Sequence, residues 1–113
     1  MAGFFNRFVD RSSDEVSVDT VDAAIATGSH TILDVRELDE WQDGHIAEAI
    51  HIPLGELDLR LQELPQDKPV YTICHSGKRS LVAVDILTSG GRSDAKSMAG
   101  GMVAWASSGK PYV

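Results

Sequence analysis

The chain has 113 residues, enough for one globular domain, and its 42% hydrophobic and 24% charged residues exclude a disordered or fibrous protein. The net charge of −7 disfavours anionic partners, so we expect binding neither to nucleic acids nor to membranes. A single cysteine excludes an internal disulfide and a multi-cysteine zinc site. Because a free thiol suits a reducing compartment, we expect a cytoplasmic protein.

The first eleven residues contain three phenylalanines, which are interrupted by Arg7 and followed by no small-residue cleavage site. We therefore do not predict a signal peptide, and no apolar stretch of the chain is long enough to cross a bilayer. Three interpretations of this segment stay open: a short helix packed on the domain, a loose end, or a docking peptide for a partner.

Beyond this segment, the spacing of apolar residues changes repeatedly between helix-like and strand-like. The first pattern predicts a helix over 19–27, with Asp19 or Thr20 as its N-cap and Gly28 at its end. The predicted elements that follow are, in chain order, a buried strand over 31–35, a short helix over 37–42, a short strand over 49–52, a helix over 54–64 with a stripe of four leucines, a strand over 70–74, a helix over 79–88, a weak strand over 95–98 and a last helix that carries Met102, Trp105 and Ala106. The helix over 79–88 is expected to bury Val82, Ala83, Ile86 and Leu87. Alternating strands and helices joined by short loops predict an α/β domain with a parallel sheet.

The residues that bear chemistry are concentrated in 70–80, VYTICHSGKRS, where a cysteine ends the strongest strand and a polar loop leads into a helix. In open α/β sheets, ligands bind at the carboxyl ends of strands, and a helix N-terminus offers unpaired N–H groups. Gly77 allows the loop backbone to curl so that its N–H groups point inward, while Lys78 and Arg79 add positive charge. Such a ring of donors favours the thiolate of Cys74 and can hold an incoming anion beside its sulfur.

A lone cysteine is more often a small buried hydrophobe at the end of a core strand. Here, the polar, glycine-containing and basic residues that follow Cys74 favour a reactive thiol instead. His75 is either a general base or thiolate partner, or a residue that shapes the entrance of the pocket. The other three histidines are expected to be structural or surface residues, because their spacing matches no metal site; they are His30, His45 and His51.

Asp34 and Arg36 stand at the end of the strand over 31–35, on the side of the sheet where Cys74 is expected. Either they pair with each other or with neighbouring glutamates on the surface, or they brace the cysteine loop. The two tryptophans, Trp41 and Trp105, are expected in the core or in a pocket wall.

Four segments taken together resemble the rhodanese family. They are Leu33 to Glu37 with Trp41, Gly44 to Ala49 leading to Ile52-Pro53, the loop CHSGKRS that begins at Cys74, and Gly100-Gly101-Met102 with Trp105. The resemblance covers nearly the whole chain and predicts a domain over 16–113 preceded by an N-terminal extension over 1–15. One position departs from the family pattern, since Glu48 stands where members commonly have glycine.

The resemblance implies a rhodanese-like α/β fold, with a mostly parallel five-stranded sheet and helices on both faces. It implies that Cys74 takes a sulfane sulfur from a small anionic donor, becomes a persulfide, and passes the outer sulfur to cyanide or to a thiol, including one on a partner protein. Asp34 and Arg36 would lie near the pocket. The loop that cradles the sulfur and the donor would be formed by His75, Ser76, Gly77, Lys78, Arg79 and Ser80. No metal or organic cofactor is implied, and we expect a monomer.

Two positive charges, on Lys78 and Arg79, suit a small dianion, so we favour thiosulfate, or a low-molecular-weight persulfide, as the donor. One alternative is a sulfur carrier or regulatory binding module with little turnover of free substrates, for which the apolar N-terminus would be a docking element. The other alternative is a cysteine phosphatase or arsenate reductase. It is less compatible, because related phosphatases place five residues between cysteine and arginine, whereas four stand between Cys74 and Arg79.

Overall fold

The structure, a computed structural model, describes residues 10–113, so the interpretations offered for the phenylalanines near the N-terminus lie outside the described residues. In this described part of the chain, five strands form the central sheet: β1 Glu15–Val16, β2 Thr31–Asp34, β3 Ile50–His51, β4 Val70–Ile73 and β5 Lys96–Met98. They are arranged in the order β1-β5-β4-β2-β3, and every pair is parallel. The predicted five-stranded α/β sheet is therefore confirmed. The two-residue strand β1 was not indicated by apolar spacing.

Within residues 10–113, four α-helices cover both faces of the sheet, as the resemblance implied. They are α1 Val18–Thr27, α2 Leu38–Asp43, α3 Arg79–Ser89 and α4 Gly101–Ser107. Helices α1 and α4 pack into one apolar core, in which Val21 and Trp105 are buried. Helix α3 packs into a second core together with the leucines that follow β3. None of the helices within residues 10–113 has the length and apolarity that a membrane-spanning helix needs.

The ends of α1 are set by capping residues. Ser17 precedes the helix in an extended conformation, and its hydroxyl accepts a hydrogen bond from the backbone N–H of Thr20. The prediction of Asp19 or Thr20 as the N-cap was therefore wrong, because both residues already lie in the first helical turn. At the other end, Gly28 adopts a left-handed φ of 69°, and the predicted end of the helix is confirmed.

The segment after β3 departs most from the predicted elements. Instead of an α-helix over 54–64, it forms two 3₁₀ helices, Leu54–Leu59 and Leu61–Glu63. A 3₁₀ helix returns to the same side every third residue, so a leucine spacing typical of an α-helix also fits 3₁₀ turns. Leu57 and Leu64 are buried in the core that contains α3, and Leu54 and Leu61 pack against it, so the leucine stripe faces the interior although the predicted helix type was wrong.

The buried face of α3 includes a polar residue in its first turn. Ser80, Ala83, Val84 and Leu87 are buried, which is the helical spacing i, i+3, i+4, i+7. Val82, by contrast, is 47% exposed, and the prediction of its burial was wrong. The predicted buried face of α3 was defined by apolar residues alone. The observed buried face begins at Ser80, so it is rotated about the helix axis relative to the predicted one.

The turn that contains Glu48 does not require the glycine that the family commonly has there. Glu48 is exposed, and the next backbone N–H, that of Ala49, donates to the carbonyl of Ile46 over 3.0 Å. Within residues 10–113, no residue other than glycine has a positive φ. The turn is therefore accessible to any L-residue, and the departure leaves the fold unchanged.

Strands β2 and β4 are neighbours at the centre of the sheet, and this pairing positions the candidate site. Asp34 pairs with Ile73 at the last position of both strands, and the backbone N–H of Val35 donates to the carbonyl of Ile73 over 2.9 Å. The residues that follow the two strands therefore meet at one edge of the sheet. This is the carboxyl edge, where α/β proteins bind ligands.

Candidate active site

Cys74 follows β4 directly and is the first residue of the loop 74–78 that leads into α3. Its side chain is only 1% exposed, and its sulfur lies inside a ring of hydrogen-bond donors. The backbone N–H of Gly77 donates to Cys74 Sγ over 3.1 Å, and the hydroxyl of Ser80 lies 3.4 Å from the same sulfur. The loop thus folds back over the cysteine, with the first turn of α3 completing the ring.

The pKa of the Cys74 thiol lies below its ordinary value. Burial is the largest single influence and raises the pKa. Hydrogen bonds from the Ser80 hydroxyl and from the backbone N–H groups of Ser80, Gly77 and Ser76 lower it, and together they outweigh burial. A buried sulfur that is easier to deprotonate than a free thiol is the arrangement that a cysteine nucleophile needs.

The loop is held in place by the N-terminus of α4, a contact that the sequence analysis did not anticipate. The backbone N–H groups of Met102 and Val103 donate to the carbonyls of Cys74 and His75 over 2.9 and 3.1 Å. Gly101 precedes them with a φ of 59°, and a Cβ at this position would overlap both carbonyl oxygens. The glycine is therefore required by its backbone conformation and also by close packing. Its place in the segment Gly100-Gly101-Met102 was the available sequence signal.

Three hydroxyl groups line the inner side of the loop. Ser80 Oγ lies 2.7 Å from Ser97 Oγ of β5, and both residues are fully buried. The Thr72 hydroxyl donates to the carbonyl of Ser80 over 2.8 Å. Ser97 was not singled out from the sequence, because it stands between Lys96 and Met98 in a three-residue strand and no local pattern distinguishes it.

Asp34 and Arg36 form a buried ion pair at the end of β2. Arg36 Nη2 donates to Asp34 Oδ2 over 2.7 Å. Arg36 is 5% exposed and Asp34 is 1% exposed. The interpretation of a surface pair was wrong, because β2 is a central strand whose end is covered. Arg36 also donates to the carbonyls of Glu40 and Gly44, over 3.1 and 2.8 Å. It thereby holds the middle of α2 and its C-cap residue, Gly44, at the edge of the sheet.

Helix α2 is joined by an ion pair to Arg79, the first residue of α3, directly after the cysteine loop. Arg79 Nη1 and Nη2 donate to the two carboxylate oxygens of Glu40 over 2.7 and 2.8 Å. This hydrogen bonding lowers the pKa of Glu40 to about 2 and raises that of Arg79. Arg79 was expected to offer its charge to a ligand, but most of that charge is compensated by Glu40. Glu40 is one of the neighbouring glutamates considered as a surface partner of Asp34 and Arg36, and its pair with Arg79 was not predicted.

The remaining loop residues are arranged around the entrance. His75, Ser76 and Lys78 are exposed, and within residues 10–113 Lys78 has no ion-pair partner. His75 makes no side-chain hydrogen bond to Cys74 among the described contacts, and instead lines a cavity of about 420 Å³. Glu40 of α2 contributes to the acidic wall of this cavity, and Met102 of α4 to its apolar wall.

The other histidines are engaged in structural contacts. The ring of Trp41 stacks with that of His45 and with that of His51, at centroid distances of 3.6 and 4.8 Å. His51 Nε2 is hydrogen-bonded to the carbonyl of Arg36, and His30 stacks on Tyr71. Within the part of the chain that the structure describes, no three side chains of His, Cys, Asp or Glu are grouped as a metal site would require.

Known proteins resemble this chain in sequence and in fold. A sequence profile described as a rhodanese-like domain matches residues 17–108. A sulfurtransferase from Allochromatium vinosum is 34% identical over 82 residues, which are 73% of this chain and 77% of that protein. The crystal structure of a rhodanese-related protein from Thermoplasma volcanium superimposes with a TM-score of 0.80 at 34% identity, covering 88% of this chain and 96% of the other.

A longer relative carries a different name. YrkF of Bacillus subtilis, named as a candidate sulfur carrier protein, is 42% identical over 77 residues, which are 68% of this chain but only 42% of YrkF. The chain therefore spans less than half the length of this relative. The predicted boundary between residues 15 and 16 stays a prediction: the profile match begins at 17, and β1 begins at Glu15.

Proposed function

The chain belongs to the rhodanese-like domain family, whose sulfurtransferase members resemble it, and from this premise we propose that Cys74 carries sulfur as a persulfide. The observation that carries the proposal is the ring of donors around Cys74 Sγ, contributed by the backbone of the loop and by Ser80. A general role in sulfur transfer agrees with the relatives. The donor, the acceptor and the residues involved are our proposal.

The reaction consists of two displacements, and both take place at the sulfur atom that is transferred. First, the Cys74 thiolate attacks the outer sulfur of the donor, and the donor's S–S bond breaks with its electron pair leaving on sulfite, if the donor is thiosulfate, or on a thiolate. The product is the Cys74 persulfide. Second, cyanide or an acceptor thiolate attacks the outer sulfur of the persulfide, and Cys74 leaves as a thiolate. The loop donors stabilise the negative charge on Cys74 Sγ, as it attacks in the first step and as it leaves in the second.

Each loop residue has a place in this proposal. The N–H groups of Ser76 and Gly77 and the hydroxyl of Ser80 favour the thiolate. Lys78 is the cation available to an anionic donor, while His75 forms the entrance from the cavity. The buried pair Asp34–Arg36 braces α2, whose Glu40 in turn holds Arg79; this chain of contacts supports the expected bracing role of the pair.

The experiment that tests the function is a turnover assay with a panel of donors and acceptors. We expect thiocyanate from thiosulfate and cyanide, or release of sulfide from a persulfide donor in the presence of a thiol acceptor. If no donor–acceptor combination gives turnover above the reaction without protein, the enzymatic function is wrong. In that case, a persulfide formed only once on each chain would favour the sulfur-carrier alternative, for which the name of YrkF is the supporting observation.

The phosphatase or arsenate reductase alternative has less support. Arg79, which would have to hold the transferred anion, is already bound by both carboxylate oxygens of Glu40. The loop also has only four residues between Cys74 and Arg79. Hydrolysis of an aryl phosphate at a rate that depends on Cys74 would favour this alternative.

We predict that Glu40 limits the affinity for dianionic donors. Replacing it with glutamine, Glu40→Gln, removes the compensating charge and leaves the Arg79 guanidinium free to attract thiosulfate. A unit charge about 4 Å from an anion contributes about 1 kcal/mol in water, so the KM for thiosulfate should fall about threefold to tenfold. The gain should shrink at high ionic strength, because salt screens exposed charges.

The matched control is Glu56→Gln, which removes the same charge from an exposed ion pair with Arg60. It should leave the KM for thiosulfate unchanged, and Glu40→Gln should leave the KM for an uncharged organic polysulfide donor nearly unchanged. A KM for thiosulfate that stays constant or rises in Glu40→Gln would contradict the role assigned to the Glu40–Arg79 pair.

A further inference from the structure

Ser80 and Ser97 are two fully buried hydroxyls behind the sulfur of Cys74, and they belong to different elements. Ser80 lies in the first turn of α3 and Ser97 in β5, and their oxygens are 2.7 Å apart. The Ser80 oxygen is also 3.4 Å from Cys74 Sγ. The three groups therefore form a short chain that ends at the sulfur, with its far end in the interior of the sheet.

The hydrogen bonds that link Ser97, Ser80 and Cys74 have a preferred direction. Each hydroxyl carries one proton, and Ser80 Oγ is the only hydrogen-bond partner recorded for Ser97 Oγ within residues 10–113. When Ser97 donates to Ser80, the proton of Ser80 can point to Cys74 Sγ, and every proton has an acceptor. In the reverse direction, the proton of Ser97 is buried without an acceptor, which is unfavourable.

This direction makes the sulfur an acceptor, which suits a thiolate. The sulfur of a neutral thiol is a weaker acceptor, and a thiol that donated its own proton to Ser80 would require these hydrogen bonds to reverse. Hydrogen bonds in a chain also polarise one another, so a donor behind Ser80 strengthens the bond that Ser80 makes. The carbonyl of Ser80 is held by Thr72, so the backbone that carries the hydroxyl is fixed as well.

We propose that Ser97 is a positioning residue for sulfur transfer, whose hydroxyl orients that of Ser80 toward Cys74 Sγ. The inference rests on the proposed role of Cys74 as sulfur carrier. Ser97 would favour the attacking thiolate in the first displacement. In the second, it would stabilise the same sulfur as the S–S bond of the persulfide breaks and Cys74 takes the electron pair. It touches neither donor nor acceptor and acts through Ser80.

The test is a titration of the thiol in a double-mutant cycle of Ser97→Ala and Ser80→Ala. Because Cys74 is the only cysteine, thiolate absorbance reports on this residue alone. Arg79 is a charged side chain whose field acts on the sulfur, and we expect it to stay paired with Glu40 in all variants. We expect Ser97→Ala to raise the titration midpoint and to slow persulfide formation near neutral pH about threefold to tenfold.

In the Ser80→Ala background, Ser97→Ala should have no further effect, because its path to the sulfur is gone. Ser97→Thr, which keeps the hydroxyl, should retain the wild-type midpoint. The proposal is overturned if folded Ser97→Ala titrates like the wild type, or if its effect persists undiminished in the Ser80→Ala background. A normal titration without sulfur uptake from any donor would instead refute the proposed function, which keeps the two failures distinguishable.

Discussion

Cys74→Ser is expected to lower sulfur transfer at least about a thousandfold, to the level of the reaction without protein. Serine retains the shape of the side chain and can still accept the N–H of Gly77, but its hydroxyl stays protonated and is a poor nucleophile for sulfur. The chain has no second cysteine that could replace Cys74. The measurement is steady-state turnover with the donor and acceptor that give the fastest rate in the wild type.

Thermal unfolding of Cys74→Ser serves as the control for this prediction. Because one sulfur atom is replaced by a smaller oxygen inside an otherwise unchanged ring, the variant should unfold cooperatively and close to the wild-type temperature. Turnover that survives the replacement in a folded protein would show that sulfur passes through another group, and Cys74 would then be a structural residue.

Gly101→Ala is expected to have the largest effect on stability. At this position, a methyl group would meet the carbonyl oxygens of Cys74 and His75, and the backbone would be strained at a φ of 59°. Strain in the left-handed region costs about 1–3 kcal/mol, and overpacking typically adds about 1–3 kcal/mol, so the free energy of unfolding should fall by about 2–6 kcal/mol. The loss should appear in chemical denaturation as a lower midpoint.

Gly28→Ala is the matched control, since Gly28 has a similar φ of 69° but open space where the methyl group would go. It should lower the free energy of unfolding by only about 1–2 kcal/mol, the cost of a left-handed L-residue. Gly101→Ala should also impair sulfur transfer at temperatures where it remains folded, because the carbonyls it displaces belong to the cysteine loop. Equal destabilisation by the two variants would refute the close packing of the loop on α4.

Much of the Cys74 site could be predicted from sequence because its parts are local. A buried strand over Val70–Ile73, a cysteine at its end, a glycine three residues later and a helix from Arg79 specify a loop at the carboxyl edge of the sheet without any long-range information. The resemblance to the rhodanese family added the five-stranded topology. Apolar spacing alone could not have supplied it, since β1 has only two residues.

The contacts that were missed are those that join distant positions. Glu40 and Arg79 are 39 residues apart, and Ser80 and Ser97 are 17 apart, so neither pair has a signature in a local window. The burial of Arg36 could not be derived either, since a charged residue is usually exposed unless it is paired. Its partners are Asp34 and two backbone carbonyls, and only the folded chain brings the carbonyls to it.

Intact mass is the most direct test of the claim that Cys74 carries sulfur. Reduced wild-type protein would be mixed with thiosulfate and, in a parallel sample, with a low-molecular-weight persulfide. The intact mass of the protein would be measured before and after cyanide is added. We predict a gain of one sulfur atom that disappears with cyanide and never forms in Cys74→Ser. A folded wild-type protein with a titratable thiol that gains no sulfur from either donor would contradict the account.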